Sequence, residues 1–158
     1  MWTTAVLIAA TVTMGWVAGL FYAYWMSVMP GLARSGDRTF VEAMKRINVA
    51  ILNGWFALGF AGAVVFTALG AVLTVGEPPF VWVLAALALY VAQLAVTFGV
   101  NVPLNNALDA APADTEHAAT RQAFEAKWVR FNHVRTVLTT LALGCLAWAL
   151  VEWGRVVA

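Results

Sequence analysis

The chain has 158 residues, of which 63% are hydrophobic and 11% charged, with a formal net charge of +1. A soluble domain is roughly 45–50% apolar and about 25% charged, and one of this length has too little interior to hide the surplus. An ordinary soluble domain is therefore excluded, nothing argues for nucleic-acid binding, and lipid must act as part of the solvent.

A bilayer core about 30 Å thick is crossed by ~20 apolar residues in helical form. No charged side chain precedes Arg34, so a first span is expected near residues 3–28. It lacks a basic leader and a small-residue cleavage site, and it exceeds the apolar stretch of a signal peptide, so it reads as a retained span. Uncharged runs at 47–76 and 78–108 place spans near 50–75 and 80–104. The run at 136–151 is short alone and borrows Trp128, Phe131 and Val134 from the turns before it, giving a span near 130–153. The expected architecture is a single all-α integral membrane domain over 1–158, a bundle of four transmembrane helices.

Basic residues orient it. Arg34, Arg38, Lys45 and Arg46 flank the first connection, and Arg121, Lys127, Arg130 and Arg135 flank the third, whereas 76–79 has none and the tail has only Arg155. The positive-inside rule then puts both of those connections in the cytoplasm and both termini outside a cell's inner (plasma) membrane. Trp2, Trp82 and Trp153 fall at the outer interface, where amphipathic rings anchor.

The two halves resemble each other. Phe40-Val-Glu-Ala-Met-Lys-Arg-Ile-Asn48 aligns with Phe124-Glu-Ala-Lys-Trp-Val-Arg-Phe-Asn132, with Phe, Arg and Asn coinciding, and each follows a span that ends near a proline, Pro30 or Pro103. Two duplicated helical hairpins, 1–78 and 79–158, follow from that pattern.

Polar side chains at membrane depth usually face a bundle interior or a cavity. Gln93, Thr97, Asn101 and Asn105 recur every four residues, which places them in one stripe on one helix face. Pro103 is expected to free the carbonyl of Gly99 for a ligand or water. Glu125, Trp128, Asn132 and Arg135 make a second stripe, with Asn48 and Asn53 opening span 2. These groups are expected to surround a polar pocket at the cytoplasmic membrane face. Interhelical hydrogen bonding, at ~0.6 kcal/mol per pair, is the competing use of the same residues, and Glu125 and Arg135 can also snorkel to the interface. His133 lies ~100° round the helix from Asn132 and is more simply read as a packed or headgroup-facing ring. No metal site is expected, since a single histidine at this depth falls short of a ligand set. Cys145, the one cysteine, excludes an intrachain disulfide and a thiolate cluster. The small residues of span 2 fit close helix packing, and 109–120 reads as a solvated loop whose end caps the next helix.

Phe21-Tyr-Ala-Tyr and Val28-Met-Pro-Gly-Leu, Asn48 with Asn53, Pro-Leu-Asn-Asn at 103–106 and Asn-His-Val-Arg-Thr at 132–136 resemble the anthrone oxygenase-like family of small four-span membrane proteins. Gly54 and Phe131 depart from the proline and tryptophan common there. The resemblance implies oxidation of a lipophilic aromatic, an anthrone, by molecular oxygen, with no metal, flavin or haem cofactor. It implies Glu125, His133 and Arg135 as catalytic groups, with Glu125 or His133 as base. Asn48, Asn53, Gln93, Asn101, Asn105, Trp128 and Asn132 are the corresponding substrate-binding candidates. The competing reading is a non-catalytic carrier or a subunit that binds lipid or a protein partner. Expected partners are membrane lipid and a lipophilic small molecule, with a homo-oligomer left open.

Overall fold

The computed structural model describes residues 1–112 and 116–158. Its elements are α1 (Trp2–Ala33), α2 (Asp37–Ala50), α3 (Gly54–Leu73), α4 (Phe80–Ala110) and α5 (His117–Val157). Among the described residues there are no strands. Four helices, α1, α3, α4 and α5, are long and apolar enough to cross a membrane. This is the architecture of a multi-pass membrane protein.

The helices form a ring. α1 packs on α3 and on α5, α4 packs on α5, and α3 and α4 touch least among the neighbouring pairs. Close approach of α1 and α3 depends on small residues. A Cβ at Gly62 would stand 3.0 Å from Cγ2 of Thr13, so a larger side chain there would push the helices apart. The turn between α3 and α4 uses Gly76 at φ +84°, a backbone that only glycine adopts at little cost. At the same end the Trp153 indole donates to Oγ1 of Thr4 at 3.0 Å, tying the C-terminal turns to α1. An apolar core of Leu7, Met14, Val83, Ala86, Tyr90 and Leu146 fills this half. A second cluster of Met29, Phe40, Met44, Leu108, Phe124 and Trp128 fills the basic half.

Observed boundaries differ from the expected spans mainly at the basic end. α1 runs on to Ala33, α4 to Ala110, and α5 begins at His117. Outside hydrocarbon, amphipathic turns remain helical as long as one face is buried, and Phe124 and Trp128 supply that face on α5. α2 was not anticipated as an element. It buries Phe40, Val41, Met44 and Asn48 at helical spacing, the first three packed in the cluster with Phe124 and Trp128 of α5 and Asn48 turned to Asp109 of α4. Of the nine described residues in the stretch expected as a solvated loop at 109–120, six are helical. Asp109 and Ala110 end α4, residues 117–120 begin α5, and residues 113–115 lie outside the described residues. Glu116 precedes α5 without bonding it through its side chain, so the expected cap is absent there.

One arginine joins the hairpins at this end. Arg121 donates from Nη2 to the carbonyl of Ala33 at 3.0 Å and from Nη1 to that of Ser35 at 3.0 Å. It also pairs with Asp37 at 2.9 Å and Glu125 at 2.6 Å, and its guanidinium lies 4.6 Å above the Phe40 ring. The Arg38–Glu42 pair on α2 is different in kind. The hydrogen bond and charge of Arg38 hold the Glu42 carboxyl below its usual range, but the pair is solvated and contributes little.

Both hairpins share an irregularity. α1 has a π-helical turn at Tyr24–Val28 and α4 has one at Thr97–Asn101. Each turn ends two residues before a proline, Pro30 or Pro103. Proline has no amide hydrogen to return to the preceding turn, and a widened turn absorbs the mismatch. In α4 the amide of Val102 bonds the carbonyl of Thr97, and both Gly99 and Pro103 face outward. The carbonyl expected at Gly99 is therefore not presented to the interior.

The hairpins part company after the paired asparagines. α5 continues straight through Arg135, Thr136 and Val137, whereas the first hairpin breaks at Ile51, Leu52 and Asn53. Asn53 caps α3 by accepting from the amides of Trp55 and Phe56 at 3.0 and 3.1 Å. Asn53→Ala should cost about 1 kcal/mol through loss of that cap. Thermal unfolding in detergent measures it, and an unchanged midpoint would contradict the assignment.

Candidate functional site

The break before α3 leaves a cavity of about 240 Å³ in the basic half of the bundle. All four spans and α2 line it. Its walls are mostly apolar, with Phe21 and Tyr24 from α1, Phe56 and Phe60 from α3, and Trp128 from α5. The exposed lining residues Leu52, Asn106 and Asp109 mark its mouth, and Arg135 and Asn132, both buried, mark its inner end. A volume below the ~300–1,000 Å³ common for drug-sized ligands, walled by rings, suits one flat ring system.

α4 and α5 build the polar side together. Each contributes groups at helical spacing, so a stripe on one helix meets a stripe on the other. The Trp128 indole donates to Oδ1 of Asn105 at 2.8 Å, and Asn101 donates to the Trp128 carbonyl at 3.3 Å. Trp128 is thereby fixed in place, stacked on Phe124 at 5.9 Å and tilted against Tyr24 at 5.5 Å. Asn132 donates to the carbonyl of Phe21 at 3.1 Å and accepts from Nη2 of Arg135 at 3.0 Å. The Arg135 guanidinium lies 4.3 Å from the Phe21 ring centroid and 5.3 Å from that of Trp128. No carboxylate pairs with it among the described residues.

Not all of the hydrogen-bonding capacity here is used. Nε of Arg135, Oδ1 of Asn101 and Nε2 of Gln93 are buried without a partner. Thr97, which lines the cavity, donates to Oε1 of Gln93 at 2.8 Å. Buried polar atoms are nearly always bonded in native proteins, and of these three residues Arg135 is the one that lines the cavity, with Asn101 and Gln93 behind its wall.

Of the residues singled out from sequence, Asn48, Asn105, Trp128, Asn132 and Arg135 line the cavity, and Asn101 supports it through Trp128. Gln93 sits beyond the inner end, behind Thr97. Glu125, His133 and Asn53 lie elsewhere. Glu125 pairs with Arg121 one turn back on α5. With His133 it lines a shallow outer groove that Trp25, Met29 and Pro30 complete, where the Trp25 ring lies 4.5 Å from the imidazole. Asn53 is exposed and occupied as a cap.

Sequence reasoning passed over Asp109. It lines the mouth and accepts from Asn48 Nδ2 at 3.2 Å. The signal was present, because Asp109 is the next four-residue step after Gln93, Thr97, Asn101 and Asn105. Nearby, the Lys45 ammonium donates to the carbonyl of Ala111 at 2.6 Å, joining α2 to the end of α4.

The sequence model of one family, anthrone oxygenase, matches residues 46–145, more than half of the chain. The chain belongs to the anthrone oxygenase family. The matched part of this anthrone oxygenase family member contains Asn48, Asn105, Asp109, Trp128, Asn132 and Arg135, while Phe21 and Tyr24 of the cavity wall precede it. Neither a curated protein nor a solved structure gives a match.

Proposed function

We propose that this protein is a membrane oxygenase that converts a flat, lipophilic carbon acid of the anthrone type to the corresponding quinone, using molecular oxygen as the only co-reactant. The observation that carries the reading is a ring-walled cavity with an unpaired guanidinium at one end and a carboxylate at the other. The family membership supports the reaction class.

An anthrone has a carbonyl and a methylene on opposite edges of its central ring. With the carbonyl oxygen toward Arg135 and Asn132, the methylene faces the mouth. Asp109 takes one methylene proton as general base, and the charge that moves onto the carbonyl oxygen is met by the guanidinium. The enolate passes one electron to oxygen, giving a carbon radical and superoxide, and these join in a new carbon–oxygen bond. Protonation by Asp109 makes a hydroperoxide. Loss of the remaining proton on that carbon, with cleavage of the oxygen–oxygen bond, leaves a ketone and one water. One oxygen atom enters the product, the other leaves as water, and no external reductant is consumed. Trp128 packs on the rings, and its bond to Asn105 keeps the indole in that role. The orientation expected from the basic residues turns the mouth to the cytoplasmic side.

In this scheme Glu125 and His133 have no part in proton transfer. Oxygen uptake with anthrone by the purified protein, above the spontaneous rate, tests the proposal. Asp109→Asn should lower the rate by about 100-fold, and His133→Ala should leave it within about threefold. The reverse pattern would return the base to the outer groove, and no uptake above the blank would remove the oxygenase reading.

A further inference from the structure

We propose that the cavity holds its ligand as a ground-state anion, an aromatic carboxylate or phenolate whose charged oxygen sits on Arg135. This rests on the cavity being the ligand site and not on the oxygen chemistry. It also differs from stabilising a charge that appears only during reaction.

The argument begins with the cost of the arginine. Its residue is only 6% exposed, at the edge of an apolar run that extends from 136 to 151. Guanidinium stays protonated in proteins, so burial cannot be relieved by neutralising it. Buried charges are ordinarily paired, and within membranes they mark ligand or ion paths. Arg135 has two ring faces beside it, Phe21 and Trp128, and one neutral acceptor, Asn132. Those contacts delocalise or orient the charge without cancelling it. No protein group accepts from Nε or Nη1 among the described residues. Nε is closed off by its neighbours, so the free Nη1 end of the fork is the part left for an oxyanion, which it meets with a charge-assisted N–H bond.

The surroundings set the rest of the ligand. The nearest polar neighbour, Asn132, is already committed on both amide atoms. The walls are rings, so the anion must be attached to an aromatic body. The one carboxylate lining the cavity, Asp109, stands at the mouth and is engaged by Asn48. It disfavours an anion at that end and so favours seating it at the inner one.

The test compares two probes matched in shape, 2-naphthoate and neutral 2-naphthamide, binding to the purified full chain in neutral detergent micelles, with protein-free micelles as blank. The protein should bind naphthoate at least ~10-fold more tightly than naphthamide. Arg135→Gln should erase the preference, Arg135→Lys should keep part of it, and Arg130→Gln, at an exposed site, should keep all of it. Circular dichroism and gel filtration confirm that each variant folds. Equal binding of the two probes, or a preference that survives Arg135→Gln, overturns the proposal. A preference that depends on Arg135 in a protein that does not oxidise anthrone sustains it and refutes only the oxygenase reading.

Discussion

Replacing Arg135 with methionine is expected to lower oxygen uptake by about 100-fold or more without lowering thermal stability. The two halves of that expectation have one cause. The guanidinium is desolvated and has no counter-ion among the described residues, so its burial opposes folding, offset in part by one hydrogen bond and two ring contacts. Removal of an unpaired buried charge in favour of an apolar chain of similar length is commonly neutral or stabilising. Sites that hold a group ready for ligand at the expense of stability show this trade-off. Thermal unfolding in detergent, read beside turnover, checks both halves. A large drop in melting temperature would mean that Arg135 is a structural strut and that its bond to Asn132 matters more than its free edge.

Arg121→Ala is expected to have the opposite signature, a loss of about 2–4 kcal/mol in stability. This side chain satisfies two backbone carbonyls at the end of α1, two carboxylates and one ring face. No other side chain bridges the end of α1 and the start of α2 to α5 in this way among the described residues. Removing it leaves the Glu125 carboxylate half-buried without its partner and frees α2 to lift from α5. Arg121→Lys should recover less than half of the loss, because an ammonium cannot present the planar fork. Denaturant titration of the purified protein measures both. Equal stability of the alanine variant would show that α2 is held by its apolar face alone.

The spans were legible in the sequence because hydrocarbon tolerates almost no charge, so uncharged runs bound them. Their basic ends were not. There the helices leave the membrane, and burial against α2 rather than hydrophobicity keeps residues 117–129 helical. α2 itself carried a readable pattern in Phe40, Met44 and Asn48, obscured by the charged residues between them. The α4 stripe was readable as one face, yet Asp109 was separated from it because a carboxylate was assigned to solvent. On α5, Glu125, Trp128, Asn132 and Arg135 look alike by spacing, and Glu125 lies within about 20° of Asn132 on the helix wheel. It differs in depth, about two turns farther from the inner end of the cavity, where Arg121 at the preceding turn holds it. His133 is turned away from the cavity, as its single step from Asn132 implied. Nothing in local sequence distinguishes Asn53, a helix cap, from Asn48, a cavity residue, since both depend on where the chain breaks before α3.

The most direct measurement is oxidation of an anthrone by the purified protein under ¹⁸O₂. The account predicts a quinone carrying one labelled oxygen, with the other label in water, formed faster than in protein-free micelles and at the blank rate in Arg135→Met. A rate equal to the blank in the unaltered protein, or a quinone oxygen drawn from water, would contradict it.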